Sequence, residues 1–144
     1  MSNNLVIAAR LGLGVVFFVF GLNGFLHFLP APPMPAAAGA FVGGLFSSGY
    51  FFPLLKGTEV IAGVLLLSGR FVPLALTVLA PIIVNIVAFH AFLAPGLALP
   101  IAILVLELFL AWAYRDAFRP MLAPRPAPAP ALAGVARRGH APAS

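Results

Sequence analysis

No Asp, Glu, Lys or Arg occurs between Leu11 and Leu55, nor between Phe71 and Leu106. A helix rises 1.5 Å per residue, so about 20 mostly apolar residues cross the hydrocarbon of a bilayer. The charge-free stretches predict four spans: Leu5–Leu29, Phe52–Gly69, Phe71–Leu93 and Leu97–Phe118. Composition agrees with this reading. Only 8% of the 144 residues are charged and 62% are hydrophobic, whereas about a quarter of a soluble domain is charged. Such a chain cannot cover its own surface with polar groups, which excludes a soluble monomer and argues against disorder over most of the length. The first span is too long for the apolar core of a signal peptide. It lacks an Ala-x-Ala-like cleavage site and holds Asn23 and His27.

The connections support a helical bundle. Gly69-Arg70 alone joins the second and third spans, so these two run antiparallel as neighbours. Pro73 falls in the first turn of the third span, where a missing N–H costs little, and Pro81 falls mid-span, where it predicts a kink. Ala94-Pro95-Gly96 makes the turn into the fourth span. Between spans one and two, PAPPMP cannot be an ordinary helix. The apolar run after it is short and Gly-rich, which predicts an interfacial or re-entrant helix, with a fifth full span as the alternative. The expected fold is therefore all-α: a four-helix integral membrane bundle over residues 1–120, with a short extra helix between its first two spans. Residues 121–144, rich in Pro, Ala and Arg, are expected to form a disordered tail.

The net charge of +5 does not indicate nucleic acid. Five of the eight basic residues (Arg115, Arg119, Arg125, Arg137 and Arg138) follow position 114 and flank or trail the last apolar run. Basic residues beside a span are a topology signal. Four spans place both termini on one side with Arg10, Arg70 and these five Arg, leaving only Lys56 opposite. Positive-inside then makes both termini cytoplasmic, with the 30–53 segment facing outward. The lack of cysteine excludes disulfides, thiolate metal sites, iron–sulfur clusters and dithiol relays.

Ionisable groups at membrane depth are costly and usually face a bundle interior. Counting depth along the spans puts His27, Glu59 and His90, from three different helices, in one outer layer. Asn23 lies one turn below His27, and Asn85 and Glu107 lie deeper. Tyr114, seven residues beyond Glu107, shares its face, and Arg10 and Asp116 lie level enough at the inner ends to pair. The candidates for catalysis are His27, Glu59, His90 and Glu107; those for substrate binding are Asn23, Asn85 and Tyr114. Two imidazoles and a carboxylate, His27, Glu59 and His90, form a candidate metal site, and two His on facing helices a candidate haem site. Each residue has a plainer alternative. The His rings suit an interface, Glu59 can pair with Lys56 at i,i+3, Glu107 can bond to Asn23 or Asn85, and the Asn residues can be interhelical glue. Asn85 and His90, five apart, lie about 140° apart on a regular helix, so both face inward only if the helix is distorted.

At these residues the chain resembles the DoxX family of small bacterial membrane proteins. The resemblance rests on ARLGLGVVFFVFGLNGFLHFLP, on PPMP with SSGYFFPLLKGTEVIAGVLLLSGRFVPLAL, and on APIIVNIVAFHAFL followed by ELFLAWAYRDAFRP. It runs from about Leu5 to Pro120. It implies a four-helix bundle of the bacterial inner membrane, similar to the DoxD-type subunit of thiosulfate:quinone oxidoreductase. Asn23, His27, Glu59, Asn85, His90 and Glu107 are the positions it marks. The expected function is that of a redox-associated subunit binding a quinone-like or small apolar substrate. No second redox subunit is fused to this chain, so electrons would come from a partner subunit or a bound metal. A non-catalytic assembly subunit and a small proton or solute transporter are the alternatives, and a homo-oligomer stays open.

Overall fold

A computed structural model describes residues 3–126. Over these residues the protein is entirely helical: α1 (Asn3–Leu26), α2 (Ala36–Ser47), α3 (Phe51–Ser68), α4 (Val72–Phe92), α5 (Ala98–Ala113) and α6 (Arg115–Phe118). The expected tail from residue 127 onward lies outside the described residues.

Helices α1, α3 and α4 are each long and apolar enough to cross a membrane. The expected fourth span is shorter than its apolar run. The helix breaks at Tyr114, leaving 16 residues in α5 and a separate single turn, α6. Sixteen residues reach about 24 Å, short of the roughly 30 Å hydrocarbon core. The expected short helix between the first two spans is α2, whose 12 residues span about 18 Å and cannot cross. A full span there is thereby excluded.

Helix α1 packs on α3, α3 on α4, α4 on α5, and α5 back on α1, while α2 rests on α3. The α1–α3 seam is the tightest. A Cβ on Gly63 would lie 2.6 Å from the backbone nitrogen of Phe18, and one on Gly21 would lie 2.9 Å from that of Val60. Gly14 meets Leu66 and Leu67, and Gly24 meets the stem of Lys56. Residue numbers rise on α1 as they fall on α3, so the pair is antiparallel. Only hydrogen at these Gly positions lets the two backbones approach so closely, a packing mode that suits helices unable to use the hydrophobic effect against lipid.

The turn expected at Gly69-Arg70 is a Schellman cap. Gly69 has φ 71°, its N–H donates to Leu66 O, and Arg70 N–H donates to Leu65 O. Phe71 follows at φ 53°, a second left-handed residue that completes the reversal into α4. The Arg10 side chain packs on Gly69. The expected Arg10–Asp116 pair does not form, because Asp116 pairs with Arg119 one turn away at 3.3 Å.

The core contains Leu13 and Phe17 from α1, Ala62 and Leu66 from α3, Leu76, Leu79 and Ile83 from α4, and Ile103 and Leu110 from α5. Ile61, Leu74, Val84, Val105, Leu108 and Trp112 point outward and are exposed. An outer surface this apolar suits lipid rather than water.

Candidate functional site

A cavity of about 350 Å³ opens at the end of the bundle where α2 lies. Phe17 and Phe20 of α1, Phe41 and Leu45 of α2, Phe52 of α3, Ile86 and Phe89 of α4, and Leu99 and Ile103 of α5 contribute its apolar walls. Helix α2 closes one side through aromatic contacts: Phe46 stacks on Phe52 with centroids 3.8 Å apart, and Phe41 meets Phe89 at 5.7 Å.

The polar wall consists of Lys56, Glu59, Asn85 and His90. Lys56 and Glu59, one turn apart on α3, form an ion pair of 2.8 Å. Glu59 is only 3% exposed and Lys56 20%, so the pair sits mostly out of solvent. The missing side chain of Gly24 makes the space in which the Lys56 stem lies against α1. The ammonium is 5.9 Å from the centroid of the Phe52 ring. An ammonium has three N–H donors, and one of these serves Glu59.

His90 lies in the last turn of α4, with Nδ1 3.0 Å from Ile86 O. A carbonyl oxygen only accepts, so Nδ1 carries the hydrogen. The neutral ring then offers Nε2 as an acceptor. Asn85 lies at the exposed edge of the same wall. Asn85 and His90 thus share one cavity although they are five residues apart, the first at its rim and the second half-buried.

The other expected site residues are elsewhere. His27 is exposed beyond the last turn of α1, with φ 51°, and its N–H donates to Asn23 O. Asn23 Oδ1 accepts from Leu29 N–H at 2.7 Å, so this side chain caps the exit of α1. Neither residue lines the cavity. The expected metal triad of His27, Glu59 and His90 is therefore not assembled, and no group of three His, Asp or Glu suited to a metal occurs among the described residues. A bis-His haem site fails for the same reason: the left-handed turn at the end of α1 carries His27 away from the cavity that His90 lines. Tyr114 is half-buried against the core at the junction of α5 and α6.

Glu107 belongs to a second cavity, a groove of about 370 Å³ between α4, α5 and the segment after α5. Its Oε2 is buried without a hydrogen-bond partner, so the expected bond to Asn23 or Asn85 is absent. The expected single polar column is divided. On α4 the groove ends at Ala80 and the pocket begins at Ile82, and no residue lines both.

Lys56 has no place in the site expected from sequence, where it serves only as a surface partner for Glu59. The missed signal is its position: it is the one lysine of the chain, four residues inside the start of an apolar stretch. The aromatic contribution of α2 had no signal, because nothing in a Gly-rich run specifies which helix it covers.

Among the described residues the fold is all-helical, with three helices suited to a membrane and an apolar pocket with an ionic group in its wall. Comparison with family models, with curated proteins and with solved structures found no match.

Proposed function

We propose that this chain is a protein of DoxX type in the bacterial inner membrane with both termini cytoplasmic, in which α5 and α6 together make the fourth span beside α1, α3 and α4. It binds a quinone-like or similarly small apolar molecule as a subunit of a redox assembly. The observation that carries this reading is the pairing of an apolar, aromatic-rich pocket with the Lys56–Glu59 ion pair and the His90 imidazole on one wall. Its volume of about 350 Å³ lies at the lower end of the range for ligand pockets, roughly 300–1,000 Å³.

Quinone and quinol make opposite demands on a site. A quinone carbonyl needs a donor, which the Lys56 ammonium supplies while Glu59 balances its charge. A quinol hydroxyl needs an acceptor, which His90 Nε2 supplies. Reduction puts two electrons, supplied by a partner, into the ring and one proton on each of its two oxygens; both protons come from solvent at the cavity mouth, one of them taken up at His90 Nε2 and passed on. The electrons come from a partner subunit; without cysteine this chain holds no iron–sulfur cluster or dithiol of its own. Asn85 at the rim positions the ring on entry.

The test is to purify the protein in mild detergent, extract it for quinone, and titrate it with a short-chain ubiquinone and a short-chain menaquinone. Wild type is expected to retain or bind one of them. Lys56→Met and His90→Ala are expected to weaken binding, and Val42→Trp on the α2 wall to abolish it. Extracts free of quinone together with no saturable binding in wild type refute the proposal.

A further inference from the structure

Glu107 is 5% exposed, and its Oε2 has no donor. An ionised carboxylate without a donor is costly in hydrocarbon, whereas the neutral acid is tolerated far better. Among the described residues, nothing that packs around Glu107 supplies the missing donor or an ion pair, and Tyr114, two turns on along the same face, makes no hydrogen bond to it. From α4 come Leu76, Thr77 and Ala80, and the Thr77 hydroxyl already donates to Pro73 O at 2.9 Å. On its own helix face lies Ala111, and Arg115 follows two turns on. The Arg115 guanidinium lies at the edge of the same groove but forms no ion pair with Glu107; its Nη1 donates to the Trp112 carbonyl at 3.0 Å and its charge is 4.9 Å from the Trp112 ring centroid. Helix α1 also packs on α5, but its Arg10 lies against Gly69. Asp116 and Arg119 pair with each other on the exposed side of α6.

The groove itself is open. Small side chains, Ala80 and Ala111, leave its floor free beside Glu107, and exposed Thr77, Arg115 and Leu122 form its edges. We propose that Glu107 is a proton-binding site in its own right, a carboxylic acid protonated in the resting protein and reached from the lipid through the groove between α4 and α5. Its ligand is the proton. The site is separate from the pocket under α2 and does not depend on what that pocket binds.

A hydrophobic carbodiimide tests this directly. The acid O–H adds across one C=N bond of dicyclohexylcarbodiimide. The carboxyl oxygen bonds to the central carbon and the proton goes to nitrogen, giving an O-acylisourea. Migration of the acyl group to nitrogen then yields a stable N-acylurea, with no leaving group and no redox partner. Full-length protein is treated in native membranes and in detergent, and its peptides are mapped by mass spectrometry. The adduct is expected at Glu107 and not at Glu59, whose carboxylate is held by Lys56 at 2.8 Å. Labelling is expected to fall as pH is raised, to be slow with a water-soluble carbodiimide, and to be lost in Glu107→Gln. The comparison of Glu107 with Glu59 within wild type does not rely on any variant folding. Absence of the Glu107 adduct, equal labelling of Glu59, or labelling indifferent to pH overturns the proposal. Labelling seen only after detergent extraction overturns it too, since a protein partner and not lipid would then cover the groove. None of these outcomes bears on quinone binding under α2.

Discussion

Replacing Lys56 by Met removes the only partner, among the described residues, of a carboxylate that is 3% exposed while keeping most of the volume of the stem. Breaking one side of a buried ion pair typically costs 3–5 kcal/mol, because the remaining charge is left without compensation. The lower end applies here. Lys56 is 20% exposed, so water reaches one edge of the pair, and Glu59 can take up a proton when the ammonium is gone. The expected loss is about 3 kcal/mol. Glu59→Gln leaves the ammonium at that wet edge and is expected to cost about half as much. The double variant Lys56→Met/Glu59→Leu removes both charges and fills the space with apolar atoms, so it is expected to lie within about 1 kcal/mol of wild type. The assay is equilibrium unfolding in mixed micelles of mild detergent and SDS, followed by tryptophan emission from Trp112. A double variant as unstable as Lys56→Met alone, or a Lys56→Met variant as stable as wild type, would refute the claim that this pair is held out of water. The double variant carries a second expectation: it folds, yet no longer binds a short-chain quinone.

Gly63→Ala is expected to destabilise by about 1–3 kcal/mol, because the new methyl meets the backbone of Phe18 and α1 must shift; Gly43→Ala on α2, with nothing within 4 Å, is its control and leaves the unfolding midpoint unchanged or raised. Gly24→Leu fills the space that the Lys56 stem occupies, so it is expected to weaken quinone binding as strongly as Lys56→Met, read by the same titration. The protein has no native cysteine, so Phe41→Cys/Phe89→Cys can be joined by a short bis-maleimide; tying α2 to α4 is expected to slow quinone entry and release several-fold relative to the same variant left unlinked, and unchanged rates would show that α2 is not in the path. His27→Ala is expected to leave quinone binding within about twofold of wild type, a difference of about 0.4 kcal/mol, because His27 does not line the cavity.

The architecture was legible where a single physical rule decides it. Charge-free length located the helices, and Gly69-Arg70 determined the reversal between α3 and α4, since only a left-handed residue ends a helix so abruptly. The helix break at Tyr114 was not legible. The apolar run continues past it to Phe118, and hydropathy does not register the local change of backbone that separates α5 from α6. Helix α2 was foreseen as a short element but not as a wall, because its placement depends on ring-to-ring contacts with Phe52 and Phe89 that no local pattern encodes.

The candidate site was legible by depth and illegible by direction. Counting along a span gives the level of a residue but not the neighbour it faces. Glu107 illustrates the difference. It continues the buried stripe of α5 formed by Pro100, Ile103 and Leu110, at intervals of three and four. Ile103 on that stripe lines the pocket under α2, and Glu107, one turn further on, lines the opposite groove. On α4 the lining passes from the groove at Ala80 to the pocket at Ile82 with no residue shared, so a stripe that is continuous on one helix borders two separate cavities. His27 fails differently. Asn23 accepts the Leu29 N–H and the chain turns left-handed at His27, which is exposed and does not line the pocket. Glu59 and His90 meet a shared space because each lies within a regular helix whose neighbours fix its rotation: α3 by the glycine seam with α1, and α4 by the short Schellman turn from α3. The residues that remain in the site are those whose direction is set by backbone packing, and those that leave it belong to a helix end or to a level where the core closes.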